Sequence, residues 1–388
     1  MALVPFVQVG KNDFGKGGCI KDWFYCDSFI MENNASYDLF VDRRMLKETR
    51  YCCEKNYLMK KQLSVVEIDD GVILPGKSEL GGIYDYDKSD LAIENTEVVY
   101  LGMMISVWGH CLTDNLKHLW FIFDEKYGHL KHLKWVYTML SGDGFQSDDN
   151  FCALLSHLGV DLFNCNKITK IDKPTKFRKI YIPDDCFIKD NDNHYYTNEF
   201  KVIIDDLIND VRNSCTNFIG ADKVYFTRTQ LKNNGRDNGE KQVELFFKEQ
   251  GFEVYDPLGL TFDQQVLLLQ SCNSFATTEG SIAHNAMFLK EGTRMIIIRK
   301  AYYCNGYQLA INQMKKLNVV LIDCHLSVFA NPLGPWSGPF YLYVNRHLMD
   351  YFNCKRKIRR EGFANYLSKN WFLFLKRYVK KMLKSWKE

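Results

Sequence analysis

The sequence predicts an α/β protein: two Rossmann-like domains facing a cleft, with a basic amphipathic helix at the C-terminus. Three observations carry the prediction. Residues 223–299 alternate short apolar runs with amphipathic stretches, residues 98–211 repeat the alternation more loosely, and the segment after Tyr351 is rich in Lys and Arg and carries an aromatic stripe. Apolar runs bounded by turn residues read as buried strands, and apolar positions at helical spacing read as one face of a helix. Strands separated by helix-length segments run parallel, and parallel sheets bind ligands at the carboxyl ends of their strands.

In chain order, residues 1–95 form an irregular lead-in belonging to the N-terminal domain, with strand-like pieces at 64–68 and 71–74 between turn-rich segments. The N-terminal α/β domain occupies 96–218. Within it Leu112, Leu116, Leu119 and Phe123 make a core-facing helical stripe, with His110, Asp114 and His118 together on the opposite side. Strands follow at 134–138 and 179–182 and helices at 151–158 and 200–211, and residues 213–222 connect to the second domain. The C-terminal domain, 219–345, carries strands at 224–226, 252–255, 275–277, 295–298 and 319–322, interleaved with helices at 243–249, 262–270, 281–289 and 309–317. In the rigid loop 331–339, Trp336 is either a sugar-stacking residue or a buried hinge.

Composition narrows the class. With 388 residues, 46% of them hydrophobic and 14% aromatic, the chain has ample material for two cores, and disorder is not expected. Its 13 cysteines include no Cys-x-x-Cys pair, which argues against a disulfide framework or zinc knuckle and for a reducing cytoplasm. Residues 1–10 lack the basic and apolar regions of a signal peptide, and no apolar run is long enough to span a bilayer.

The turn Thr278-Glu279-Gly280-Ser281 follows a predicted strand. Gly280 permits positive φ and a close ligand approach, Ser281 suits the cap of the next helix, and the free amides at that helix start suit a pyrophosphate. Arg228 leaves the first strand at the same sheet edge, and Arg236 follows in a polar loop. Singly each is a solvated charge; together with the turn they make a phosphate clamp.

These residues also carry a resemblance. Val224-Tyr225-Phe226-Thr227-Arg228, then Arg236, Asn238 and Glu240, then Gly251-Phe252-Glu253-Val254, Leu260 to Val266, and Glu279-Gly280-Ser281 with Asn285 and Phe288 resemble the glycosyltransferase family 61 proteins. Gly109-His110-Cys111-Leu112-Thr113-Asp114-Asn115-Leu116 looks like that family's histidine-led helix, so the likeness covers roughly residues 100–325. The family writes a histidine where this chain has Glu279; that role passes here to Glu279 or His284. The resemblance implies an inverting transferase of the GT-B architecture using a nucleotide-sugar donor, UDP-linked, with no metal and no Asp-x-Asp site. It implies donor contacts from Arg228, Arg236, Asn238, Gln265, Glu279, Gly280, Ser281, His284 and Asn285, and catalysis by His110, Asp114 and Glu279.

Inverting sugar transfer needs a base of near-neutral pKa for the acceptor hydroxyl, and His110 oriented by Asp114 fits that need. The competing reading is that His110 caps its helix while Asp114 pairs with Lys117 or His118. Cys111 points away from His110 along the helix, His118, His129 and His132 lack a matching carboxylate for a metal, and the acidic pairs at 184–185, 190–192 and 205–206 are loose.

The expected activity is sugar transfer to a lipid-linked or oligosaccharide acceptor in capsular or lipopolysaccharide synthesis. The alternatives are another two-domain transferase such as a polysaccharide pyruvyl transferase, an NAD-dependent oxidoreductase weakened by the lack of Gly-x-Gly-x-x-Gly, or a catalytically silent assembly partner. The net charge of +3 divides into +10 for residues 351–388 and −7 for the rest. In the helix predicted within 346–388, Trp371, Phe374, Leu375, Tyr378, Met382 and Trp386 share one face opposite Arg377, Lys380 and Lys384. That pattern predicts either an anionic membrane surface as partner, with cytoplasmic attachment to the inner face, or a helix packed across the domains. No nucleic-acid motif accompanies the charge.

Overall fold

The computed structural model describes residues 37–40, 56–75, 88–139, 145–146, 149–164, 167–190, 193–215, 218–231, 237–300, 305–325, 338–354 and 369–385. Arg236, Trp336 and Trp386 lie outside the described residues. The chain separates into two compact units, one over Tyr57–Ser214 and the other from Cys215 onward. Strand β1 (Tyr37–Phe40) belongs to the second unit, although it falls inside the stretch expected to lead into the first domain.

The first unit is built on a mixed sheet of β2 (Val65–Asp69), β3 (Val72–Ile73), β4 (Ala92–Met104), β5 (Lys134–Met139), β6 (Ile168–Lys170) and β7 (Thr175–Pro183). Strands β7, β4, β5 and β6 run parallel in that order, while β2 and β3 add antiparallel to β7. The parallel centre is the part the βα alternation predicts. The antiparallel edge comes from the short pieces at 64–68 and 71–74; exposure alternates from Val66 to Asp69, as suits a half-covered strand, whereas Val72 and Ile73 are both buried. Val98, Tyr100, Val136, Phe177, Ile180 and Ile182 fill the core. A short hairpin of β8 (Phe187–Asp190) and β9 (Asn193–Tyr196) precedes the helix Asn198–Ser214, which buries Phe200, Ile203, Ile204, Leu207, Ile208 and Val211 at the spacing of one face.

The second unit holds a six-stranded, all-parallel sheet: β10 (Lys223–Phe226), β12 (Glu253–Tyr255), β13 (Ser274–Thr278), β14 (Arg294–Arg299) and β15 (Asn318–Asp323), with β1 pairing β15 at the edge. From one edge the order is β12-β10-β13-β14-β15-β1, so the direction of strand progression reverses between β10 and β13. In doubly wound sheets that reversal opens a crevice at the carboxyl ends of the two diverging strands, where ligands bind. A two-stranded parallel ribbon of β11 (Asp237–Asn238) and β16 (Phe340–Tyr341) lies apart from the main sheet.

The predicted helices recur as Glu240–Glu249, Phe262–Ser271 and Gly306–Met314. Thr261 and Gln264 form a reciprocal capping box that fixes the start of the second. The fourth differs. Ser281–Phe288 is a 3-10 helix rather than an α-helix, and Gly280, not Ser281, occupies its cap position, with no side-chain cap bond. Every residue from Ile282 to Phe288 is buried, so the segment packs on all sides and has no solvent face around which an α-helical stripe would be selected.

Candidate functional site

At the reversal point, β10 and β13 deliver Arg228 and Gly280 to the same sheet edge. The backbone N–H of Arg228 donates to Glu240 Oε1 (3.1 Å), and Glu244 accepts from the hydroxyls of Thr227 (3.0 Å) and Thr229 (2.9 Å), so the exit of β10 is held by the helix Glu240–Glu249. The Arg228 guanidinium lies 3.2 Å from Asp237, and the opposite oxygen of Asp237 lies 3.3 Å from the ammonium of Lys300. Both cations converge on Gly280. A Cβ placed there would sit 3.3 Å from Arg228 Nη1 and 3.5 Å from Lys300 Nζ, and its φ of +123° is one that side chains disfavour.

Behind this pair, Arg299 is fully buried with its guanidinium 3.3 Å from Asp323, and Glu279 donates its backbone N–H to Ile298 O (2.9 Å). Burial pushes the Glu279 carboxyl up to about 7 against the pull of Arg299 and Lys300. Burial, helped by Asp237, raises Glu240 to about 7 as well, and burial lowers Lys300 from the ordinary lysine range. When Glu279 and Glu240 hold protons, Arg228, Lys300 and Arg299 outnumber Asp237 and Asp323 by one positive charge. The arrangement therefore favours an anion.

The remaining candidates sit elsewhere in the unit. Asn238 is buried, with its amide donating to Phe340 O (3.1 Å) and its carbonyl oxygen accepting from Arg377 (3.0 Å), which ties the ribbon to the C-terminal helix. Gly239 follows at φ +82°, where a Cβ would stand 2.1 Å from Leu342 O, so only glycine lets the two chains approach. Gln265 is buried and donates to Pro257 O (2.9 Å), His284 Nδ1 lies 2.9 Å from Gln308 Oε1 in the interior, and Asn285 is buried. Lys300 is the residue the sequence reading missed. It follows a fully apolar strand at the carboxyl edge of a predicted parallel sheet, and that position was the available signal.

In the first unit, the segment after β4 starts as one α-turn at Trp108–His110, widens to a π-helix over Cys111–Asn115 and tightens to a 3-10 helix over Leu116–Phe123. Asn115 exchanges two 3.0 Å bonds with the backbone of Ile105 and anchors the widened turn. His110 Nδ1 stands 2.7 Å from Asp114 Oδ2, which also accepts from Thr113 Oγ1 (2.9 Å). With the carboxylate ionised, Nδ1 holds the proton and Nε2 is the free base on a side chain 45% exposed. The expected grouping of His118 with this pair is incorrect: His118 is buried and paired with Asp185 (3.2 Å), to which Lys117 also binds (3.0 Å). The switch from π to 3-10 geometry changes the rotation per residue, so a uniform α-helical projection misplaces position 118 and leaves Phe123 exposed. Cys111 is buried, and burial pushes its thiol above the ordinary range.

Two features thus define the class: a parallel α/β sheet whose reversal point gathers cations around a glycine turn, and an exposed histidine–aspartate pair after a strand end. Residues 108–296 match the family model described as Glycosyltransferase 61, which supports the resemblance to that family. The match supports a glycosyltransferase, a class whose substrates are a sugar donor and an acceptor. No curated protein matches the chain.

Proposed function

We propose that the chain is an inverting glycosyltransferase of the two-domain GT-B type that takes sugar from a UDP-linked donor for surface polysaccharide synthesis. The observation that carries the reading is the convergence of Arg228 and Lys300 on Gly280 at the strand-reversal point. A diphosphate seated against that turn meets two cations already held in place by Asp237, and they neutralise the charge that develops as the nucleoside diphosphate leaves. His110 Nε2 takes the proton of the acceptor hydroxyl while the new C–O bond forms opposite the breaking one, and Asp114 stabilises the imidazolium. The acceptor is lipid-linked or an oligosaccharide, and the enzyme works on the inner face of the membrane. The attachment is peripheral, through the basic C-terminal helix; no helix among the described residues is long and apolar enough to cross a bilayer.

The test is turnover of purified full-length protein across a panel of nucleotide sugars. One donor should be consumed, and His110→Gln should lower its turnover by roughly 10² to 10⁴ without altering donor affinity. Near-normal turnover in the variant would move the base to another group, and a panel with no consumed donor would overturn the reading.

A further inference from the structure

We propose that the outward face of the helix Lys369–Ser385 is a docking surface for an anionic lipid bilayer, an inference that rests on the membrane-face reading above. The aromatic face expected to enter the membrane is already occupied. Trp371 and Phe374 pack edge-on against Tyr341 at 5.6 and 5.4 Å, Trp371 stacks on Phe374 at 5.7 Å, and Phe374 is buried. Arg377 and Lys381 are spent on the same side, bonding Asn238 (3.0 Å) and Gly338 O (2.8 Å).

The opposite side carries a second apolar stripe. Phe372 is 74% exposed and Val379 and Leu383 are each 53% exposed; their spacing of seven and four residues puts them in one line along the helix. Leu373, 40% exposed, flanks it. Among the described residues, thirteen large apolar side chains are exposed, and four fall within this one helix, so the exposure is concentrated rather than scattered. Lys376 lies within the stripe, Lys380 and Lys384 lie beside it, all three are exposed, and no Asp or Glu occurs between residues 369 and 385. Apolar side chains that insert at the headgroup boundary, with lysines extending to the phosphates, match an anionic bilayer. A second copy of this chain is a poor occupant, because a self-complementary contact would place lysine against lysine.

The experiment is sedimentation of full-length protein with phosphatidylcholine vesicles containing phosphatidylglycerol, compared with Phe372→Ser/Val379→Ser/Leu383→Ser and with Lys376→Gln/Lys380→Gln/Lys384→Gln. Each set changes exposed side chains only. The lysine set should reduce vesicle binding by about a hundredfold and the apolar set by about tenfold or more, with the thermal transition of the soluble protein unchanged. Pure phosphatidylcholine should capture little of the wild type. Wild-type protein that ignores anionic vesicles would overturn the membrane reading itself. Variants that bind as the wild type does would leave that reading standing and overturn this face as the surface. A dimer that both variant sets dissolve would assign the face to a second copy and also overturn the proposal. If the apolar set fails to fold, the lysine set alone decides.

Discussion

Glu279 and Lys300 end neighbouring strands, and burial drives both toward their neutral forms. For Glu279 the sign follows from a folded-state value of about 7 against an ordinary 4.5. The native state holds the proton more tightly, so this contribution to stability is complete below pH 4.5 and is lost as pH rises through about 7. A shift of that size corresponds to roughly 3 kcal/mol. Glu279→Gln should therefore flatten the fall in urea stability between pH 5 and pH 8, while the part due to Glu240 remains. Equal pH slopes in variant and wild type would mean that Glu279 stays ionised. A nearby diphosphate favours the protonated carboxyl, so the proton on Glu279 belongs to the same electrostatic arrangement as the two cations.

At the scale of elements, the strands were more legible than the helices between them. Apolar runs such as 295–298 and 319–322 have one physical explanation in a parallel sheet, burial on both faces, and they recur within a residue or so as β14 and β15. Helical projection failed where the backbone leaves α geometry. The π and 3-10 segments after β4 turned His118 inward, and the 3-10 turn after β13 removed the cap role expected of Ser281. In the C-terminal helix, composition announced an amphipathic element but did not say which stripe was taken. Tyr341, on a two-residue strand too short to read from sequence, decides that by receiving Trp371 and Phe374. The helix then reaches the candidate site through Arg377, whose bond to Asn238 adjoins the Asp237 that holds Arg228 and Lys300. Arg377→Ala should raise the donor KM by about tenfold with kcat little changed, the size of one hydrogen bond to a charged group. Arg377→Lys should recover part of the loss. A fall in kcat at constant KM would argue against a positioning role.

For the whole molecule, parallel β/α architecture was readable because the hydrophobic period switches repeatedly between strand and helix. The antiparallel edge of the first unit and the insertion of β1 beside β15 were not readable, since a four-residue strand in a polar stretch carries no sign of which sheet it will join. Of the site, Arg228, Gly280 and the His110–Asp114 pair come from motifs in the sequence and Lys300 is signalled only by its place after an apolar strand, whereas the link through Asp237 that joins Lys300 to Arg228 becomes visible only once β10, β13 and β14 stand side by side. The family match supports the glycosyltransferase class, and the central claim is narrower: the donor diphosphate is held at the Gly280 turn by Arg228 and Lys300. Calorimetric titration of UDP into the full chain, Arg228→Ala and Lys300→Met tests it most directly. The account predicts measurable binding by the wild type and a loss of roughly tenfold to a hundredfold in each variant. Wild-type affinity retained in both variants would contradict it.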